Sequence, residues 1–160
     1  MHMPEKEGFT VPLAVMDALP VAFFAAAAIV LGVRLRAPLF FLGALVCFLA
    51  GAGKVAWKLL LALRGRDVPL LSAQFRVLMP LGFVLMLVGA LLADRTLVRA
   101  LLHAALRMPP VLFFALAALG IAGMVLCARR FDRHDVRGNW IEQGINCAAQ
   151  CCVLIGVLLL

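Results

Sequence analysis

Five long apolar runs alternate with short segments rich in arginine and lysine along this chain. A helix that crosses a bilayer needs about 20 predominantly apolar residues, and each run is about that long. The runs lack the strict polar–apolar alternation that is typical of a membrane β-strand. Because a backbone in hydrocarbon must satisfy its own hydrogen bonds, the pattern predicts membrane-spanning helices over about 11–33, 38–61, 71–93, 109–128 and 140–160.

A shorter amphipathic pattern separates the third and fourth predicted spans, over about 94–107. Residues four apart share one helical face, and leucines fill much of the rest. The pattern predicts a short helix in the headgroup region, with an extension of the third span into water as the alternative. We expect one all-α integral membrane domain over 1–160, with five transmembrane helices and this interfacial helix. The basic residues of the shared face are Arg95, Arg99, His103 and Arg107.

Composition supports a membrane protein and argues against a soluble one. Hydrophobic residues make up 66% of the chain and charged residues 14%, too little polar surface to cover a soluble domain. The net charge of +7 would suggest a nucleic-acid partner in a soluble protein. Here the basic residues flank apolar runs, so we expect membrane lipids and no nucleic acid as partners.

The distribution of basic residues also predicts an orientation. Lysine and arginine are more frequent in the segments on the N-terminal side of the membrane than on the opposite side. The positive-inside rule then predicts a cytoplasmic N-terminus in a bacterial-type cytoplasmic (inner) membrane, with a flipped or dual topology as the alternative because the bias is modest. The first run has no convincing cleavage site, so we interpret it as a transmembrane helix and not as a signal peptide.

A candidate internal repeat links the first and fourth spans. Residues 20–28 read PVAFFAAAA and residues 110–118 read PVLFFALAA. One span lies between the two helix pairs, so the second pair (spans four and five) would be inverted relative to the first (spans one and two). Inverted repeats are a recurring transporter design. The alternative is coincidence in a sequence rich in alanine, phenylalanine and leucine, and spans two and five do not align.

Charged residues inside the spans are the strongest functional indication. A charge near a helix centre costs roughly 2.5–3.5 kcal/mol on insertion scales. Following the chain back and forth across the bilayer places all five such residues in the same third of the membrane. At one depth they can pair, which lowers the burial cost, or line a water-filled vestibule. They are Asp17, Lys54, Lys58, Arg76 and Glu142.

The fifth span adds neutral polar groups to these charges. Glu142, Asn146 and Gln150 are spaced by four and share a helical face. A second face carries small residues at the same spacing, which favours close packing on another helix or a second subunit. The alternative is that the polar residues only stabilise contacts between helices through hydrogen bonds. The small residues are Gly144, Ala148, Cys152 and Gly156.

Two lysines in the second span, Lys54 and Lys58, bracket Trp57. For Lys58 we favour snorkelling, in which the stem lies along apolar surface and the ammonium group reaches the headgroups. Lys54 lies about one turn deeper. For Lys54 a partner such as Glu142 or Asp17, or an anionic ligand, is as good an interpretation as snorkelling.

Signatures of other chemistries are missing from the sequence. It contains no nucleotide-binding loop, no hydrolase nucleophile motif and no zinc-protease motif. The five cysteines form no C-x-x-C pair and no histidine lies at ligand spacing beside them, so we expect no metal and no cofactor. His134 and Asp135 could act as a base and its orienting partner, but nothing supplies a third group.

Three functional hypotheses follow. The first is a small transporter or ligand-binding membrane protein, whose vestibule takes an anionic or amphipathic small molecule. The second is an integral-membrane enzyme acting on a lipid headgroup, which we favour less. The third is a non-catalytic subunit that packs against another membrane protein or a second copy. In the first hypothesis the ligand-binding residues are Asp17, Lys54, Lys58, Arg76, Glu142, Asn146 and Gln150.

Overall fold

The computed structural model describes residues 11–130 and 136–160, and within these ranges the chain is helical with no strand. Five of the helices are long and apolar enough to cross a membrane, which confirms the predicted number of candidate spans. The fourth helix is the short one. In chain order the helices are α1 (Val11–Leu35), α2 (Pro38–Arg64), α3 (Pro69–Leu92), α4 (Arg95–Ala105), α5 (Pro110–Arg130) and α6 (Val136–Leu158).

Proline and glycine define several helix ends. α2, α3 and α5 each begin at a proline, a residue suited to the first helical turn because its missing N–H needs no intrahelical partner there. α2 ends at Arg64, and the following Gly65 adopts the left-handed conformation (φ 59°) and donates its N–H to the Leu61 carbonyl of the last turn. α6 begins at Val136, before the predicted boundary, because the polar residues ahead of Trp140 continue the helix.

α2 and α3 form a tightly packed hairpin. A methyl group on Gly43 would lie 2.5 Å from the Met86 backbone nitrogen and 2.6 Å from the Gly82 carbonyl oxygen. One on Gly82 would lie 2.9 Å from the Cys47 nitrogen. Only glycine permits this approach of two helix backbones, as in other small-residue crossings. The shape of the two helices therefore fixes the hairpin where Gly43 of α2 meets Gly82 of α3.

α5 and α6 form a second hairpin, and it uses the small residues of α6 differently from the prediction. A methyl group on Gly156 would lie 2.9 Å from the Phe114 ring, and one on Gly120 would lie 2.9 Å from Ala149. Among the described residues, Gly144 has no atom of another element within 4 Å of the position that a methyl group would take. The small-residue face thus packs against α5 at its C-terminal end and is open at its N-terminal end.

α1 connects the two hairpins. It packs against α2 and against α6, whereas packing between α3 and either α5 or α6 is at most marginal in the described part of the chain. A methyl group on Gly51 of α2 would lie 2.9 Å from the Val21 side chain of α1. The two hairpins therefore leave a cleft between them with α1 along one side.

α4 is a separate helix and not a continuous extension of α3. Asp94 caps its N-terminus by accepting a 2.7 Å hydrogen bond from the Thr96 backbone N–H. Val98 and Leu101 pack against the apolar cluster that includes Leu35 and Phe40, at the ends of α1 and α2. The basic residues Arg95, Arg99, His103 and Arg107 are exposed.

The two stretches of the candidate repeat occupy different positions in their helices. Pro20 lies in the interior of α1, whereas Pro110 is the first residue of α5. Nine residues of α1 precede the motif and none of α5 does. The inverted repeat therefore stays a prediction from the sequence.

Candidate functional site: a cavity between the two hairpins

Asp17 of α1 and Lys58 of α2 form a buried ion pair. Asp17 is 7% exposed and Lys58 is 6% exposed. Lys58 donates to Asp17 Oδ2, while Asp17 Oδ1 is buried without a hydrogen-bond donor among the described residues. Lys58 thus lies inside the bundle, in place of the snorkelling orientation favoured from the sequence, because the carboxylate on α1 is close enough to hold it.

Lys54 lies one helical turn before Lys58 and has a different environment. Its Nζ lies 4.6 Å from the centre of the Phe75 ring of α3, a cation–π contact. It is partly exposed and lies within electrostatic reach of Asp17, Lys58 and Glu142. No ion pair joins Lys54 to either carboxylate. Its ammonium group therefore remains open to a further polar partner.

A cavity of about 420 Å³ lies between the hairpins and is partly open to the surroundings. Small-molecule sites have volumes of roughly 300–1,000 Å³, so its size suits a small ligand. Its wall is built by α1, α2 and α3 on one side and by α5 and α6 on the other. The residues that line it are Asp17, Pro20, Val21, Phe24, Cys47, Gly51, Lys54, Val55, Phe75, Met79, Phe83, Met124, Glu142, Gln143, Asn146 and Gln150.

The polar part of the cavity wall comes mainly from α6. Glu142, Asn146 and Gln150 line the cavity together, as their spacing by four residues predicts for one helical face. Gln143 lines it as well. Lys54 and Asp17 complete this part of the wall from α2 and α1. Opposite charges thus lie on different hairpins, with Lys54 on the first and Glu142 on the second.

The remaining wall is apolar and aromatic. Phe24 of α1 and Phe83 of α3 meet edge to face, with ring centroids 6.1 Å apart. Phe75, Met79 and Met124 add further apolar surface. Methionine and aromatic side chains adapt to ligands of varied shape. The cavity therefore combines a polar cluster with an apolar surface, which is the arrangement that an amphipathic molecule needs.

The structure brings together most of the residues selected from the sequence. Five of them line the cavity, and Lys58 is joined to it through its ion pair with Asp17. Arg76 is exposed and is not part of the cavity wall, because the adjacent Gln74 and Phe75 occupy the side of α3 that faces α2 and the cavity. The five are Asp17, Lys54, Glu142, Asn146 and Gln150.

Sequence reasoning missed the aromatic and methionine residues of the wall. In helices that are apolar on all sides, these residues look like ordinary lipid-facing ones. They are Phe24, Phe75, Phe83, Met79 and Met124. Their periodicity carries no information about which face meets a cavity. Gln143 was the one omission with a usable indication, since it is a polar residue next to Glu142 inside a predicted span.

The described residues contain no group of three or more histidine, cysteine or acidic residues that could hold a metal ion. The five cysteines are free thiols. His134 and Asp135, which the enzyme hypothesis uses, lie outside the described residues. The groups that line the cavity offer charge, hydrogen bonds and apolar contact.

Comparison with protein-family models, with curated proteins and with solved structures found no match to this chain.

Proposed function

We propose that this protein is a small membrane transporter or ligand-binding membrane protein whose cavity takes an amphipathic small molecule. The observation that carries the proposal is the cavity between the hairpins, with Lys54, Glu142 and Asn146 at a polar cluster beside an apolar aromatic wall. Ligand sites are mostly apolar with a few convergent polar groups. The polar cluster would hold the headgroup and the aromatic wall the hydrocarbon part.

The arrangement of helices supports access from the membrane. α3 makes at most marginal contact with α5 or α6 in the described part of the chain, so the cleft has a side with little helix packing to close it. The residues around it on α3, Phe83 among them, are apolar and exposed. An amphipathic molecule dissolved in the bilayer would reach the cavity through this side without crossing water.

The charges favour an amphipathic ligand over a simple anion. Of the three cations first considered for anion binding, Lys58 is paired with Asp17 and Arg76 is exposed away from the wall. Lys54 is the remaining cation of the three, and Glu142 balances it across the cavity. A small inorganic anion would find one ammonium group beside a carboxylate, which is a poor anion site.

Native mass spectrometry of the gently solubilised protein tests the proposal. We expect an amphipathic small molecule to co-purify with the wild type and to be lost from Lys54→Ala. Arg76→Ala is the matched control, because it also removes a basic residue of the same membrane third but leaves the cavity wall unchanged. Equal occupancy of wild type and Lys54→Ala, or no bound molecule in either, would contradict the proposal.

Flux measurements separate transport from binding alone. The ligand found by mass spectrometry would be loaded on one side of proteoliposomes and its appearance on the other side followed over time. A transporter gives flux that Lys54→Ala abolishes and Arg76→Ala retains. Binding without flux would identify a carrier or sensor and not a transporter.

The open part of the α6 small-residue face supports a second candidate function, that of a subunit in a membrane complex. Gly144 has no neighbour at the position of a methyl group, and Ala148 is exposed. A homodimer or another membrane protein would pack there. Gly144→Leu would then dissociate the complex on size-exclusion chromatography, whereas Lys54→Ala would leave it intact.

The membrane setting belongs to the same proposal. α4 would lie in the headgroup region, with its exposed basic residues toward phosphates and Val98 and Leu101 against the bundle. The N-terminus would be cytoplasmic in a bacterial-type inner membrane. Labelling of single cysteines placed at Arg99 and at Arg64 in a cysteine-free background tests this, since the two should be labelled from opposite sides.

A further inference from the structure

We propose that the headgroup of the ligand is zwitterionic, with an anionic group for Lys54 and an ammonium group that carries N–H donors for Glu142. This inference rests on the proposed function and adds the chemistry of the headgroup. It is carried by the position of two opposite charges that line one cavity from different hairpins without pairing with each other.

The cationic side of the cavity is Lys54. Its ammonium group lies over the Phe75 ring and forms no ion pair with Asp17 or Glu142. A cation–π contact uses one face of an ammonium group, and lysine has three N–H donors. An anionic group in the cavity would accept from the donors that the ring does not occupy.

The opposite side of the cavity carries a carboxylate and two amides, whose carbonyl oxygens can accept hydrogen bonds. Glu142 lines it beside the amide side chains of Gln143 and Asn146. On α1, Asp17 also belongs to the wall, and its Oδ1 has no donor among the described residues. A carboxylate and neighbouring carbonyl oxygens are matched by an ammonium group with N–H bonds, because charge-assisted hydrogen bonds are the strong ones.

Charge balance favours one molecule with both groups. Asp17 and Lys58 neutralise each other, and Lys54 and Glu142 cancel in sum. A purely anionic or purely cationic headgroup would add an unbalanced charge to a cavity that is largely apolar, which is costly. A zwitterion leaves the total unchanged and satisfies both walls. It would also connect the two hairpins, because its two groups bind α2 and α6.

Dodecyl amphiphiles of equal chain length test the headgroup. N-dodecylglycine carries both charges and N–H donors, whereas N-dodecyl-N,N-dimethylglycine carries the same charges without N–H. Dodecylamine and dodecanoate carry one charge each. Dissociation constants would be measured for the protein in lipid nanodiscs. We expect N-dodecylglycine to bind about tenfold more tightly than each of the other three.

Two variants give opposite changes that a general loss of structure would not produce. In Lys54→Met the preference for N-dodecylglycine over dodecylamine should vanish, while the preference over dodecanoate remains. In Glu142→Gln the preference over dodecanoate should vanish, while the preference over dodecylamine remains. Arg76→Gln, an exposed control, should keep both preferences. Lauroyl-lysophosphatidylethanolamine is an added probe, since tighter binding than N-dodecylglycine would identify a phospholipid headgroup as the source of this chemistry.

The outcomes separate this inference from the proposed function. If all the dodecyl probes bind within about threefold of one another, the cavity takes amphipathic molecules but the zwitterionic headgroup is refuted. If dodecanoate binds most tightly, the headgroup is anionic and the inference is again refuted. If no probe binds, the inference and the proposed function both fail.

Discussion

Lys54 and Lys58 lie one turn apart on the same helix, yet the structure gives them different environments. Lys58 is buried and paired with Asp17 of α1, whereas Lys54 lies over the Phe75 ring of α3 at the wall of a cavity. The residue type and the helical face do not explain the difference. What decides it is which neighbouring helix offers a carboxylate and which offers a ring. Lys58 is thus held by an ion pair inside the bundle, and Lys54 lies at the wall of the cavity.

The largest expected effect comes from breaking the buried ion pair. Lys58→Leu leaves Asp17 buried without its cation, and we expect the free energy of unfolding to fall by about 3–5 kcal/mol. Equilibrium unfolding in mixed detergent micelles measures it. The double variant Asp17→Leu/Lys58→Leu should recover most of the loss, because it removes both charges together. The single variant Asp17→Leu completes the comparison. If the double variant loses as much free energy of unfolding as Asp17→Leu and Lys58→Leu added together, the two residues are not coupled.

The next largest effect concerns the α2–α3 crossing. Gly43→Ala places a methyl group 2.5 Å from the Met86 nitrogen, and overpacking of this kind costs about 1–3 kcal/mol. Gly144→Ala is the matched control in α6, where nothing lies within 4 Å. There alanine should be neutral or stabilise by up to about 1 kcal/mol through helix propensity. Equal unfolding free energies for the two variants would contradict the described packing.

A smaller effect on stability is expected for Lys54. Lys54→Met keeps the approximate length and the apolar stem of the side chain. It removes one cation–π contact of a partly exposed lysine, which is worth about 0.5–1 kcal/mol. Its unfolding free energy should therefore stay close to that of the wild type, in contrast to Lys58→Leu. Thermal unfolding without added ligand measures this. A loss as large as that of Lys58→Leu would mean that both lysines have the same structural role.

The smallest effect concerns the N-terminus of α4, outside the spans. Hydrogen bonds from the Thr96 hydroxyl and backbone N–H hold the pKa of the Asp94 carboxyl below its usual value. The cap is therefore fully present above pH about 3.9, the ordinary pKa of aspartate, and is lost as the pH falls through the lower pKa of the folded state. Amide hydrogen exchange at Leu97 and Val98 should accelerate over that range.

Asp94→Asn separates the cap from its charge. Asparagine caps helices about as well as aspartate but does not titrate. Exchange at Leu97 and Val98 should therefore be nearly as slow as in the wild type at neutral pH and should lose the acid-dependent acceleration. Acceleration that persists in the variant would assign the effect to another group.

Much of the architecture could be predicted from the sequence because apolar length is a strong constraint in a membrane. The same reasoning located Asp17, Lys58, Lys54 and Glu142 at one depth, and the structure places them in or beside one cavity. It favoured Lys54 over Lys58 as the partner of a carboxylate such as Asp17, and this was wrong, since Lys58 forms the ion pair. Both lysines lie on the same face of α2, so the sequence pattern does not separate them. That choice depends on the rotation of α1 and α3, which helices apolar on all sides do not reveal.

Arg76 illustrates the same limit. The membrane depth predicted for Arg76 resembles that predicted for Lys54. However, each step of one residue along a helix rotates the side chain by roughly 100°, so Arg76 and the preceding Phe75 point in different directions. Phe75 therefore faces Lys54 while Arg76 is exposed. Depth follows from position along the chain, whereas the facing direction follows from tertiary packing.

Lys54 is proposed to contact a ligand, whereas Lys58 is paired within the fold. The shift of the unfolding temperature by N-dodecylglycine in wild type, in Lys54→Met and in the exposed control Arg76→Gln tests this division. We expect the ligand to stabilise the wild type and Arg76→Gln equally. Lys54→Met should unfold near the wild-type temperature without ligand and should gain clearly less when ligand is added, because it binds the ligand more weakly. A Lys54→Met protein stabilised by the ligand as much as the wild type would refute the ligand-binding role of Lys54.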